Sequence, residues 1–404
     1  MRASATESAL PSFSTAERDR RWARVRQLMV ENGIDVLLAP PNTGSNDKYQ
    51  ADARYLTQFG LNGEQVACIF PLNGKVIGFG GPSTRMIPRW MEDVRTPRRA
   101  FNDAIVGALK EIGADGATIG ICGLKAGVIS LMRAPDGVVG ANLMDAIRRE
   151  FPRARIVSAT DVIGEARITK SAEEIDFLTK ATELAEAALE ALLRVARPGV
   201  TENACNAAMM AAEIERDGTL PFLIAWDSGP IGHLSGRLTQ PARRVLNDGD
   251  VILQEIEGRW AGYTAQIDQS TFVGRVPDAC RDAWKVAVES FERAVAAMRP
   301  GVTYGQLIEV CAATPRVSGW GARVVLHGRG LGDEGPLITT PPYPPGILER
   351  PLQEGNVFVI KPAVERATDE GSVARFGDVV AVTATGARRL GTRSQEFAHY
   401  NVGV

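Results

Sequence analysis

A five-residue phrase occurs twice in the second half of the chain, and it limits the possible folds more than any other feature. Arg197-Pro198-Gly199-Val200-Thr201 recurs as Arg299-Pro300-Gly301-Val302-Thr303. In each copy Pro and Gly close one helix, and Thr is placed to cap the next. A strand pattern entered through a glycine turn follows each copy. The first is Gly249-Asp250-Val251-Ile252-Leu253-Gln254-Glu255, and the second is Gly355-Asn356-Val357-Phe358-Val359-Ile360-Lys361. A further extended segment comes next, Gly262 to Phe272 and Ser372 to Thr383. The unit helix, helix, strand, strand is thus used twice. Two such units pack as a pseudo-twofold pair whose strands join in one sheet with helices on its outer side.

The first half reads differently. Ser14 and Glu17 form a capping-box pattern before an amphipathic helix that Gly33 ends. Ile34 to Leu38 reads as a strand, and Asn73-Gly74 between Val66–Phe70 and Lys75–Phe79 signals a hairpin. A helix over Arg98 to Ile112 and a strand over Ala117 to Cys122 complete an α/β pattern that ends near Ile156 to Thr160. Ser171 and Glu174 form a second capping box, before a helix with Leu178, Ala181, Ala185, Ala188 and Leu192 on one face. A length of 404 residues fits two domains, expected at 1–160 and 161–404.

Net charge of −2 offers no field for nucleic acid or an anionic membrane. No apolar run is long enough to span a bilayer, and Met1 to Phe13 lacks the apolar core of a signal peptide. Five scattered cysteines, Cys68, Cys122, Cys205, Cys280 and Cys311, fit free thiols in a reducing compartment. The expectation is a soluble cytoplasmic protein that acts on a small molecule, with neither nucleic acid nor membrane as partner.

Four phrases, in order, carry a resemblance. They are Arg54-Tyr55-Leu56-Thr57-Gln58-Phe59, the run from Arg167 through Lys170 and Ser171 to Glu174-Ile175, His327-Gly328-Arg329-Gly330-Leu331-Gly332-Asp333-Glu334, and Phe358-Val359-Ile360-Lys361-Pro362. Together they resemble the creatinase/aminopeptidase P/prolidase (pita-bread) superfamily over nearly the whole chain. The resemblance implies an α/β (α+β) protein: an N-terminal three-layer creatinase/prolidase-like domain, then a pseudo-twofold pita-bread domain. It also implies a homodimer or larger assembly, with Tyr55 to Glu64 beside a partner's cleft.

Metallopeptidases of that superfamily hold two divalent ions with two Asp, one His and two Glu. Matched by position, Glu255 stands at the first Asp and Gln266 at the second, and His327 matches the His. Lys361 stands at the first Glu and Gly377 at the second, beside Asp378. An ammonium repels a divalent ion and a glycine offers no ligand, so neither metal nor other cofactor is expected. Creatinase works without metal, and His233 matches its catalytic His, while Asp268 matches a sheet carboxylate. The expected catalytic set is therefore His233, Asp268 and Glu334. The expected substrate-binding set is His327, Arg329, Lys361, Glu255, Tyr263, Gln266 and Arg375. Glu255 and Lys361 each lie six residues after their turn glycine, so the pseudo-twofold predicts a buried ion pair between them.

The resulting functional expectation is a metal-independent hydrolase that cleaves a C–N bond of a small carboxylated substrate. Three alternatives remain open from sequence: a metal-dependent Xaa-Pro peptidase, a lyase on a small metabolite, and a non-catalytic binding protein that keeps the fold.

Overall fold

Both copies of the repeated phrase end a helix in the same way, because their glycines adopt the same left-handed backbone. Gly199 has φ 92° and Gly301 has φ 91°, values open to glycine and costly for other residues. The amide of Gly199 donates to Leu246 O at 2.9 Å, and that of Gly301 donates to Leu352 O at 3.0 Å. Leu246 and Leu352 in turn donate to Val200 O and Val302 O, each at 2.8 Å. Thr201 and Thr303 then cap the helices Glu202–Ile214 and Tyr304–Ala312 with their hydroxyls. The turn glycines Gly249 and Gly355, at φ 89° and 82°, start the paired strands. A duplicated backbone with duplicated hydrogen bonds is what a repeated supersecondary unit requires.

This computed structural model describes residues 11–41, 50–60, 64–81, 84, 89–98, 100–128, 137–219, 224–234, 238–366 and 373–404. Ser372, the expected start of one extended segment, and residues 61–63 of the expected dimer-facing stretch lie outside them, as do residues 1–10 of the N-terminal run. Among the described residues no helix is long and apolar enough to cross a membrane.

The chain forms two compact units. The first comprises Met1–Arg167 together with Leu331–Gly335, and the second comprises Ile168–Gly330 and Pro336–Val404. The expected boundary at residue 161 falls inside the helix Thr160–Ile168, most of which belongs to the first unit.

In the first unit, a six-stranded sheet runs in the order Asp93–Arg95, Ile77–Phe79, Ala67–Pro71, Val36–Ala39, Thr118–Ile121, Arg155–Ser158. Ala67–Pro71 and Ile77–Phe79 form the antiparallel hairpin predicted from Asn73-Gly74, and Gly74 sits at φ 109°. On one face Val36, Leu38 and Ile69 pack with Ile105 and Leu109 of Phe101–Glu111 and with Leu143 and Ile147 of Ala141–Glu150. On the other, Phe70 meets Trp22 of the helix Thr15–Glu31 edge-on at 5.7 Å. Ser14 caps that helix as expected, while the Glu17 carboxylate is taken by Arg20 and Arg21 at 2.8 and 2.6 Å.

The second unit contains one sheet that includes strands of both repeats. Its order runs Leu326–Gly330, Val357–Ile360, Phe376–Val382, Tyr263–Val273, Val251–Trp260, Ile224–Gly229. The repeats join where Gly377 pairs with Asp268 and Phe376 with Gln269. Ala172–Val195, started by the complete Ser171/Glu174 capping box, buries Leu178, Ala181, Ala185, Ala188 and Leu192. It lies so near the sheet that a Cβ on Gly258 would come within 2.1 Å of Ala181 O and 2.6 Å of Ala185 N.

One buried acid in this unit makes stability depend on pH. Glu213 of Glu202–Ile214 is fully buried, and among the described residues neither of its carboxylate oxygens has a hydrogen-bond partner. Burial, then the nearby Glu257, raises its carboxyl from 4.5 to about 9, against the pull of Arg259. The folded state thus keeps a proton that the unfolded chain releases above 4.5. Stability from this group is whole below that value and is lost as pH rises toward 9. Relative to Glu213→Gln, the parent is expected to lose about 2 kcal/mol between pH 5 and pH 6.5, at 1.36 kcal/mol per unit. Urea unfolding at several pH values measures this, and parallel pH profiles would mean that Glu213 is ionised when folded.

Candidate active site

Alternation along the strands decides which side chains meet. Glu255 pairs with Asp268 and Glu257 with Gln266, which puts all four on one face. Gly377 lies opposite Asp268, and His327 lies opposite Val359, itself opposite Val379. The face thus carries Glu255, Glu257, Gln266, Asp268 and His327, with Lys361 just past the end of its strand. The other face meets the helix Ala172–Val195 through Gly258. Polar residues line the first face because side chains two apart in a strand share a side.

At its centre is the ion pair predicted from the repeat. Lys361 Nζ lies 2.7 Å from Glu255 Oε1 and 3.0 Å from Gln266 Oε1, with the lysine side chain 7% exposed. Gln266 Nε2 also donates to Glu255 Oε2 at 3.3 Å. Arg375 Nη1 stands 3.4 Å from Asp268 Oδ1 and 3.8 Å from Glu255 Oε1. Burial acts to raise the Glu255 carboxyl, but Lys361, then Arg375, outweigh it and hold it well below the usual range. Asp268 goes the opposite way. Burial raises it, Glu255 adds to this, and Arg375 only partly offsets the rise. Two neighbouring carboxylates are thereby pushed in opposite directions, Glu255 toward its ionised form and Asp268 toward its neutral one.

These groups open on a cavity of about 170 Å³ lined by Glu255, Asp268, Lys361, Arg375, Arg323 and the chain from Pro362 to Ala363. Arg323 was not expected from sequence. It ends the strand Gly321–Arg323 and is held by Glu365 at 3.0 Å and Thr339 at 3.3 Å. No motif marks it. Glu257 was also missed, although it lies two residues past Glu255 and alternation alone assigns it to this face.

Several expected site residues have other partners. Tyr263 was expected to bind substrate, but it points to the helix side, where it donates to Glu174 Oε1 at 2.7 Å and meets Phe177 edge-on. The cause is parity: Tyr263 pairs with Trp260, on the face opposite to Glu255. Arg329 was expected to hold a substrate carboxylate. It is fully buried and binds Glu257 at 3.1 Å, outside the cavity lining. The glycine-rich run from His327 forms the strands Leu326–Gly330 and Gly332–Ile338. On the second of these, in the first unit, Glu334 accepts from Arg167 Nη2 at 2.8 Å, and Arg167 Nη1 binds Asp52 at 2.5 Å. Glu334 therefore balances an internal arginine. His327 is buried, with Nδ1 3.1 Å from Gly328 O. His233 is exposed, in a turn closed by its amide on Pro230 O at 3.1 Å, and does not line the cavity.

The residues present do not fit a divalent ion. The Lys361 ammonium stands among the oxygens that would have to bind one, and Asp378 is already taken by Arg389, by Arg393 at 2.5 Å and by the amide of Val379. Among the described residues no group of three or more His, Cys, Asp and Glu is arranged to hold a metal.

Comparisons with known proteins agree on kinship. Residues 176–384 match the family described as metallopeptidase family M24. An Xaa-Pro dipeptidase of Pyrococcus furiosus is 25% identical over 269 residues, covering 65% of this chain and 74% of that protein. An agropine synthesis cyclase of Rhizobium rhizogenes is 29% identical over 264 residues, covering 61% and 65%. The crystal structure of an X-Pro aminopeptidase from Thermotoga maritima superposes with a TM-score of 0.72 at 21% identity, covering 94% of this chain and 99% of that one. That likeness shows the fold.

Proposed function

The chain belongs to metallopeptidase family M24, and we propose that it is a hydrolase that cuts an amide C–N bond in a small carboxylated substrate with its own side chains as the reaction centre. The class includes Xaa-Pro dipeptides, which the names of several relatives favour. The observation that carries the reading is the charge of the cavity. Lys361, Arg375 and Arg323 line it with only two carboxylates, Glu255 and Asp268, and Asp268 is pushed toward its neutral form. A cavity so lined favours an anion, and arginine matches a carboxylate in shape as well as charge. Its volume of about 170 Å³ suits a small molecule.

Asp268 is the proton donor in this reading. Water adds its oxygen to the carbonyl carbon and the C–N bond breaks; the leaving nitrogen takes the Asp268 proton, and the proton that water gives up as it becomes the new carboxyl returns to Asp268. Lys361, with Arg375 and Arg323 beside it, holds the substrate carboxylate, and Glu255 stays ionised and fixes Lys361. His233 has no part in the step.

The test is turnover by EDTA-treated protein on a panel of Xaa-Pro dipeptides and N-acyl amino acids. At least one member with a free carboxylate is expected to be cleaved, and its carboxamide analogue is not. Arg323→Gln is expected to raise KM about tenfold with little change in kcat, the loss of one charge-assisted contact. Cleavage that appears only after a divalent ion is added would return the chain to the metal-dependent peptidase reading. No cleavage of any member would end the hydrolase reading.

A further inference from the structure

We infer that Lys361 replaces the divalent ion of its metallopeptidase kin, so that this site selects an anionic oxygen where theirs selects a cation. The inference rests on the reaction-centre reading above for its setting, and its test needs no turnover. An ammonium has three donors. Lys361 Nζ uses two, on Glu255 Oε1 and Gln266 Oε1, and it lines the cavity. Among the described residues nothing takes its third donor, which is left for a bound molecule. An oxygen of a carboxylate or carbonyl is the acceptor that matches it.

A second observation, in the backbone, points the same way. At position 377 the resemblance places a ligating glutamate, and this chain has glycine. A Cβ built there would lie 2.5 Å from Ile360 O, 2.6 Å from Lys361 Cβ and 2.7 Å from Lys361 Cα. Two of those three atoms belong to Lys361 itself. The chain carrying the lysine thus occupies the space that a side-chain ligand at 377 would need. Cation and missing ligand are one packing solution, and a metal site cannot be restored at 377 by substitution alone.

Charge balance is consistent with this. Lys361 and Arg375 stand against Glu255 and an Asp268 that burial pushes toward its neutral form, so the cluster has no negative charge to spare. A divalent ion would add two positive charges to a buried cluster that already holds two cations, whereas a monoanion would add one negative charge beside Lys361 and Arg375.

The experiment compares two probes, Mn²⁺ alone by calorimetry and acetate alone by thermal shift, on the full chain. The parent is expected to show no stoichiometric Mn²⁺ binding and to melt higher in acetate than in an equal concentration of chloride. The double variant Gln266→Asp/Lys361→Glu is expected to invert this. It should bind Mn²⁺ at least a hundredfold more tightly than the parent, the order expected for trading one cation and one amide for two carboxylates, and its acetate shift should vanish. Circular dichroism checks its fold. Should it fail to fold, Lys361→Gln serves instead, expected to lose the acetate shift without gaining tight Mn²⁺ binding. Micromolar stoichiometric Mn²⁺ binding by the parent overturns the inference, as does an acetate shift that survives loss of Lys361. An absence of turnover on every amide would remove the hydrolase reading and leave the inversion standing.

Discussion

Lys361→Met is expected to lower the unfolding free energy by about 3–5 kcal/mol at pH 7, the range for removing one partner of a buried ion pair. Methionine keeps most of the length of the side chain, so the loss is electrostatic rather than a cavity. Glu255 would remain mostly buried, with its closest cation gone and Arg375 at 3.8 Å as the nearest left. The pH dependence identifies the cause. Glu255 is held well below its usual value when folded, so its contribution is whole above the unfolded value of 4.5 and is lost as pH falls through the lower folded value. The deficit of the variant should therefore be largest at neutral pH and shrink below about pH 4.5. Glu255→Gln/Lys361→Met should recover more than half of it, since the pair goes together. A Lys361→Met protein as stable as its parent at pH 7 would mean that the ammonium sits in water and the pair contributes nothing.

Gly258→Ala is the second large effect, through packing alone. The new methyl carbon would fall 2.1 Å from Ala181 O and 2.6 Å from Ala185 N, both backbone atoms in the middle of a 24-residue helix. A flexible side chain could swing away, but a helix backbone moves only as a body. Overpacking in cores costs about 1–3 kcal/mol when side chains can give way, and here they cannot. The expected loss is about 3 kcal/mol or more in urea unfolding. An alanine variant within 0.5 kcal/mol of its parent, the range of an ordinary surface change, would show that strand and helix stand further apart than this.

Much of this was legible in the sequence because the repeat carries register. Counting six residues from Gly249 and from Gly355 leads to Glu255 and Lys361, and the structure joins them at 2.7 Å. A duplicated unit with a fixed turn leaves little freedom in where the sixth side chain points. What the repeat did not encode was parity and distant partners. Tyr263 was expected among the substrate-binding residues, yet it sits on the helix side because it is an odd number of residues from Asp268 along one strand. Arg329 and Glu334 lie in the quoted glycine-rich phrase, and their partners Glu257 and Arg167 are 72 and 167 residues away. Nothing local announces such pairs. Arg323 reaches the cavity from a three-residue strand with no periodicity to read.

The five residues Leu331–Gly335 belong to the first unit although 163 residues of the second precede them in the chain. Through Glu334 they supply one of the two carboxylates that balance Arg167. Inheritance feels this directly. A recombination event that replaced codons 1–167 with those of a cousin would bring in a new arginine and aspartate while keeping the old glutamate, and a buried charge would have to fit a stranger. The two halves of this gene are thus tied by a shared debt of charge, and they are expected to be passed on, and to drift, as one piece.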